Sequence, residues 1–359
     1  MEIIQLDAPK VIMSNPLGRH KYFGWPTLTR LRDGRLAASA SGFRIAHVCP
    51  FGKAVVSFSN DDGKSYTPPT IVIDTVLDDR DCGLCPFGES GLIVTSFNNS
   101  VSFQRKVNDG CKAPIKKAYI DSYLDSISQE EETEVIGSLF RVSFDNGDTF
   151  GKIYKSPITS PHGPAELKNG DILWVGAKFG GAEILAYKLD PFNGEMTYIG
   201  KIDTDELKKE NIVPAEPYVF ELDDGTLICH IRADRGGERS VFTLYQSVSK
   251  DGGATWSKPM RILAERGGAP AHIMRHSSGV LISSYGYRDR DYGIKAMFST
   301  DDGKTWDTDN YIYRSEGDSS DLGYPCTVEL EDGSLLTAFY IRQEYGVSVI
   351  MQQRWTFKL

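Results

Sequence analysis

Two side chains of this 359-residue chain are placed for acid–base chemistry, Glu216 and Tyr324. Each directly precedes a proline, in Glu216-Pro217 and Tyr324-Pro325, at equivalent points of two similar stretches. A carboxylate beside a phenol can take its proton and so raise its nucleophilicity. A set of cations recurs at another shared position: Arg44, Lys178, Arg232 with Arg235, Arg288 with Arg290, and Arg342. Forked guanidinium donors match a carboxylate or a sulfate, so their convergence predicts an anion site.

The elements that must position these groups are repeats. Pro26–Leu36, Pro217–Leu227 and Pro325–Leu335 each read as an alternating strand, a turn of Asp-Gly type and a second apolar strand. Weaker copies carry Ser90-Gly91, Asn169-Gly170 and Ser278-Gly279 at the turn. This is a β-hairpin pattern. The six turns recur every 54 to 57 residues, apart from one gap of 79 between Ser90 and Asn169. A second repeat, Ser-x-Asp-x-Gly-x-Ser/Thr-aromatic, stands at Ser59–Tyr66, Ser143–Phe150, Ser249–Trp256 and Ser299–Trp306. Asp bonds its own backbone locally and Gly supplies a positive φ, so each octet predicts a tight turn between strands.

A hairpin plus an octet-linked pair makes a blade of four antiparallel strands, and near-constant spacing makes a ring of them. The expectation is an all-β, six-bladed β-propeller occupying residues 1–359 as one domain. An N-terminal strand near Ile3–Met13 would complete the last blade. An insertion over about 101–140 in the second blade would hold one amphipathic helix around Ala118–Ile127. Asp190-Pro-Phe-Asn-Gly is read as the worn octet of the third blade. On this topology the starts of the first strands share one rim with the ends of the second. That rim would gather Trp25, Asp81, His162, Glu216, His272 and Tyr324 with the cations above, while the octets lie on the opposite face.

The octet resembles the Asp-box (BNR) repeat of the sialidase superfamily, whose members are β-propellers. Pro214-Ala215-Glu216-Pro217 through Asp224-Gly225 is similar to that family's glutamate motif. Arg232 or Arg235 is similar to its following arginine, and Arg288 or Arg290 to the third arginine of its carboxylate-binding triad. Gly323-Tyr324-Pro325 stands where the nucleophilic tyrosine would be. The resemblance implies a glycosidase in which Tyr324 attacks, Glu216 is its base, and arginines (Arg44 and Arg342 among them) hold an acidic sugar. Such enzymes depart from the two-carboxylate pattern.

Two family features are absent. Where an Arg-Ile-Pro would stand the chain has Gly24-Trp25-Pro26, so Trp25 is read as a stacking platform for a sugar ring. The loop Arg44–Lys53 has no carboxylate, so the proton donor would be His47, or Asp79 or Asp81 from the next rim. The substrate expected is therefore a terminal anionic sugar, sialic or uronic, of an oligosaccharide. Two alternatives stay open: a lyase or other hydrolase acting on a uronate through His47, His162 or His272 with a tyrosine, and a glycan-binding propeller without catalysis.

Composition narrows the class further. A formal charge of −9 counts against a nucleic-acid partner, which needs a basic surface. No apolar run is long enough to cross a membrane. No basic segment precedes an apolar one at the N-terminus, so a cytoplasmic protein with free thiols is expected. Cys82-x-x-Cys85 stands without a second such pair, and no HExxH, Walker or Rossmann pattern appears, so no metal or cofactor is expected. Homo-oligomerisation is left open.

Overall fold

The computed structural model describes residues 1–237, 240–317 and 319–358. All six predicted hairpins form, for example Val213–Glu221 with Leu227–Arg235 and Leu322–Glu329 with Leu335–Arg342. Five of the six turn on the expected glycine at positive φ, from Gly34 at 90° to Gly333 at 75°. In the hairpin of Leu84–Phe87 with Gly91–Phe97, Gly88 takes that role and Gly91 has joined the second strand.

The strands pair into five sheets, where six separate ones were expected. Four sheets hold four or five strands each, almost all antiparallel neighbours in sequence. The remaining nine strands form one continuous sheet, in which Tyr22–Arg30 and its three successors join Leu322–Glu329, Leu335–Arg342 and Ser348–Lys358. The junction is a single parallel pair, Ser348 against Tyr22. There Ser348 donates its backbone N–H to the Lys21 carbonyl at 3.0 Å and its hydroxyl to the Phe23 carbonyl at 2.7 Å. Both Glu2–Gln5 and Lys10–Met13 pair antiparallel with Ser348–Lys358.

Sheets pack face to face through apolar clusters, and these clusters link the sheets in a ring. Leu31, Val56 and Ile73 meet Cys82, Leu84 and Leu139; Phe140 meets Trp174; Leu173 and Val175 meet Val219 and Ile231. Leu244 meets Ala271 and Tyr285, Ile282 and Phe298 meet Phe339 and Trp355, and Tyr324 and Tyr340 return to Trp25 and Leu28. This is an all-β propeller of antiparallel sheets. Burial of these side chains against one another supplies the main stabilisation.

The four octets fold identically. In each, the serine hydroxyl donates to the aspartate at 2.6 to 2.8 Å and accepts the glycine N–H at 2.8 to 2.9 Å. The aspartate also accepts the backbone N–H and the hydroxyl of the Ser/Thr four residues on. Asp190–Glu195 makes a simpler turn, closed by Gly194 N–H to the Asp190 carbonyl at 2.9 Å.

The insertion holds three helices rather than one: α1 (Val101–Asp109), α2 (Pro114–Asp125) and α3 (Gln129–Val135). Gly110 ends the first, Pro114 starts the second, and Ser128 with Glu131 caps the third in a capping box. The apolar spacing marks only α2, which buries Ile120 and Leu124. All six cysteines are free and five are buried. Among the described residues no helix is long and apolar enough to cross a membrane.

Candidate active site

The site begins with backbone geometry. Trp25, Asp81, Glu216 and Tyr324 all occupy the left-handed region, at φ of 55°, 41°, 47° and 52°. For residues with a Cβ this costs on the order of 1–3 kcal/mol each and persists only where the surroundings enforce it. Three of the four lie in bulges, where the first-strand ladder shifts register at Gly24/Thr27, Ala215/Tyr218 and Gly323/Cys326. A bulge re-aims its side chain, and here the re-aimed side chains meet.

Tyr324 donates its phenolic hydrogen to Glu216 Oε1 at 2.6 Å. Arg232 donates to Glu216 Oε2 at 2.7 Å and to the Tyr324 oxygen at 3.1 Å. Its Nε is held by Asp234 at 2.7 Å. Arg288 lies over the Tyr324 ring, 5.6 Å from its centroid, and is fixed through Nε to the Leu322 carbonyl at 2.8 Å. Phe242 lies beneath both guanidiniums, at 5.0 and 5.3 Å. Burial, then the charge of Glu216, pushes the Tyr324 pKa well above that of a free phenol, so the tyrosine rests protonated.

Asp321 forms a second centre. Its Oδ1 lies 2.9 Å from each of His47 Nδ1, the Tyr22 hydroxyl and the Tyr340 hydroxyl. Although burial pushes it up, these bonds hold the Asp321 pKa down to about 2. Tyr340 in turn accepts from Arg288 at 3.3 Å, which ties the two centres together. His47 is half-exposed. Loss of water is the largest effect and lowers its pKa, with the charges of Arg80 and Arg44 adding to it against the pull of Asp321, so it is neutral at pH 7.

Asp81 is 5% exposed, and burial followed by the charge of Glu216 raises its pKa to about 7, against the pull of Arg80, Arg44 and Arg232. A carboxyl group that holds its proton at neutral pH can donate it. Asp79 is also pushed up to about 7 by burial, but it is fully enclosed and caps Thr75 at 2.7 Å.

Several expected ligands lie elsewhere. Trp25 is 1% exposed, with Arg80 at 4.1 Å and Arg44 at 4.8 Å from its ring, so no face is open to a sugar. Arg44 is fully buried and ion-paired with Asp78, which Gln104 also bonds at 2.9 Å; it is a core pair and not an anion clamp. His162 and His272 are buried against Tyr218, which stacks on His272 and meets His162 edge-on, and the two imidazole rings lie 5.4 Å apart. Burial lowers both pKa values, that of His272 to about 3, so neither carries charge to a rim. Arg290 is exposed beside Asp291, Tyr292 and Glu316 in a separate hollow. Arg235 donates to the Glu210 carbonyl at 3.1 Å, and Arg342 is half-exposed, 4.0 Å from Asp321. Lys178 pairs with Glu183 at the surface. Of the predicted cations, Arg232 and Arg288 adjoin Tyr324.

The residues not anticipated are Tyr22, Asp234, Asp321 and Tyr340. Repeat position could have found two of them, because Tyr22 and Asp321 stand three residues before Trp25 and Tyr324. Among the described residues no group of three or more His, Cys, Asp or Glu is arranged to hold a metal ion. Cys82 and Cys85 are packed in the core, and burial raises both thiols to about 12.

No family model and no curated protein sequence matches this chain. Solved structures do resemble it. A protein of unknown function from Dyadobacter fermentans superposes with a TM-score of 0.76 at 21% identity, over 99% of both chains. A sialidase from Streptococcus pneumoniae gives 0.67 at 13% identity, over 97% of this chain and 70% of its own. An intramolecular trans-sialidase from Ruminococcus gnavus gives 0.64 at 15% identity, over 97% of each. At these identities the likeness is one of fold, a sialidase-like propeller.

Proposed function

We propose that the chain is a sialidase-like glycoside hydrolase that removes a terminal anionic sugar, sialic or uronic, from an oligosaccharide. The observation that carries this reading is the 2.6 Å bond from Tyr324 to Glu216, with Arg232 donating to both oxygens. Tyr324 would attack the anomeric carbon as Glu216 takes its proton, so no free phenolate has to form beforehand. Arg232 and Arg288 would hold the sugar carboxylate, with the Phe242 ring lying against both guanidiniums. Asp81, protonated near neutrality, is better suited than His47 to give the leaving oxygen its proton, because His47 is neutral and committed to Asp321 and Tyr22. Solved glycosidases of the same fold lend general support.

Within this reading the nine-stranded sheet counts as two blades joined edge to edge, and the chain is one six-bladed domain. The contact between His47 and Tyr22 at 2.9 Å supports a second reading, elimination from a uronate with the histidine as base. The test is incubation with a fluorogenic sialoside and with uronate-terminated oligosaccharides, read by fluorescence, ultraviolet absorbance and mass. Released free sugar that disappears in Tyr324→Phe supports hydrolysis. An unsaturated, ultraviolet-absorbing product that survives Tyr324→Phe would replace it with elimination, and turnover of nothing would leave a binding module.

A further inference from the structure

A cleft of about 500 Å³ opens beside the Asp321 centre, sharing Tyr22 and His47 with it. One wall is the 45–48 loop; the other comes from α1 and α2 of the insertion, which the repeat period does not require. The chain carries 49 acidic and 40 basic residues, yet the cleft lining holds Lys21, Lys116 and Arg342 and no carboxylate among its described residues. Neither Lys21 nor Lys116 has an ion-pair partner among the described residues, whereas Lys117, the next residue, is held by Asp121 at 2.6 Å. Unpaired cations lining one cleft attract an anion and lose little on binding it.

Two further features suit a sugar. Tyr345 lies on the cleft edge, 88% exposed and at φ 56°, which presents a bare aromatic face to a ring. Asn108, 5% exposed, spends its amide N–H groups on Asp121 at 2.7 Å and Lys117 at 3.1 Å, and its Oδ1 has no partner. A buried acceptor left unpaired is costly, and a ligand hydroxyl or a bridging water would satisfy it.

We propose that this cleft holds the part of the substrate beyond the scissile bond and selects a second anionic group, carboxylate or sulfate, on the sugar bound there. The inference rests on the hydrolase reading for its orientation, with the terminal sugar at Tyr324 and the next sugar between His47 and Tyr345. It makes the preferred substrate a polyanionic oligosaccharide, charged on consecutive sugars. The insertion would then be a specificity element, built onto a catalytic centre that does not need it.

The test uses the 359-residue Tyr324→Phe variant, which leaves ligands uncut, and titration calorimetry with matched disaccharides. Each pair has the same terminal sugar, sialyl in one series and uronyl in the other, and a second sugar with or without a 6-sulfate. In at least one series the sulfated member should bind about tenfold more tightly, the worth of one charge-assisted contact. Lys21→Gln with Lys116→Gln should abolish that advantage and leave the unsulfated member within about twofold. Tyr345→Ala should weaken both disaccharides but not the terminal monosaccharide. Equal affinity within both pairs, or an advantage that survives the double lysine change, overturns the proposal. A charge advantage in a protein whose wild type cleaves neither series would keep the cleft and overturn the hydrolase reading instead.

Discussion

Tyr324 and Glu216 lie 108 positions apart in the chain and 2.6 Å apart in space, each held at positive φ in a bulge at the same place of its repeat. The coincidence of two strained backbones and one short bond means that the ring itself sets the pair. Neither hairpin alone could bring phenol and carboxylate together, because each supplies one partner. Arg232 then bridges them, so a negative charge on either oxygen is met by the same guanidinium.

If that pair performs the attack, Tyr324→Phe and Glu216→Gln should each lower glycoside cleavage by about 10²–10⁴-fold, the usual worth of a positioned base or nucleophile. Melting temperatures should move little, since Arg232 keeps Asp234 as a partner in both variants. Initial rates on a fluorogenic substrate, measured beside thermal melts, check this. Full activity in Tyr324→Phe would remove the tyrosine from the mechanism.

Arg232→Lys keeps the charge but not the fork. One ammonium cannot serve Glu216, the Tyr324 oxygen and Asp234 together, so kcat and kcat/KM should both fall, by about 10²-fold. Arg288→Lys should mainly raise KM, because Arg288 touches the ring of Tyr324 and not its proton. Steady-state kinetics separate the two outcomes, and a pure KM effect at Arg232 would assign it to the substrate alone.

Asp81 sets an expectation for pH. Its carboxyl group is protonated below about 7 in the folded protein and below the ordinary carboxylate range when unfolded. If it donates the proton, activity should be high at pH 5–6 and fall as pH rises through 7. The linkage has the opposite sense from a paired carboxylate. Between the unfolded and folded values the native state binds the extra proton, so Asp81 weakens the fold increasingly as pH rises toward 7. Asp81→Asn should therefore abolish the limb near pH 7 and raise the melting temperature at pH 8 but not at pH 4. An unchanged pH–rate profile in this variant would return the donor's role to His47.

The sequence displays the propeller because its repeats are local: a turn of Asp-Gly type and an octet each need fewer than ten residues to be recognised. Glu216, Tyr324, Arg232 and Arg288 are legible for the same reason, since they fall at fixed offsets from those turns. What the offsets do not reveal is depth. Trp25 and Arg44 occupy the same repeat positions as Glu216 and Arg232, yet Asp78 pairs with Arg44 and draws it into the core. Offsets mark Tyr22 and Asp321 but not their meeting: they are 299 positions apart and come together only when the last strands close against the first.

That depth makes a testable distinction for Arg44. An anion clamp replaced by an apolar side chain raises KM and leaves the fold alone. A buried ion pair that loses one member strands the other, which costs about 3–5 kcal/mol. Arg44→Met should therefore lower stability by that order in urea unfolding, with Asp78 left to Arg80 at 3.4 Å and Gln104 at 2.9 Å. Changing Asp78→Asn in the same protein should recover part of the loss. Unaltered stability with a raised KM would restore Arg44 to the substrate.

The octets allow a prediction independent of function. Bonds from the later Ser/Thr hydroxyl and N–H and from the leading serine, the serine being the larger at Asp145, lower Asp61, Asp145, Asp251 and Asp301 to about 2. A carboxylate whose folded pKa lies below its unfolded value stabilises the fold above the unfolded value, near 4, and loses that contribution as pH falls toward 2. Asp301→Asn should thus melt below the wild type at pH 7, with the gap narrowing between pH 4 and pH 2.5. The equivalent change at Asp190, whose turn is closed by backbone bonds and by its side chain to Phe192 N–H alone, should give a smaller gap at pH 7. Melting curves across that range decide it: a gap for Asp301→Asn that is constant with pH would mean the carboxylate's charge plays no part in the turn.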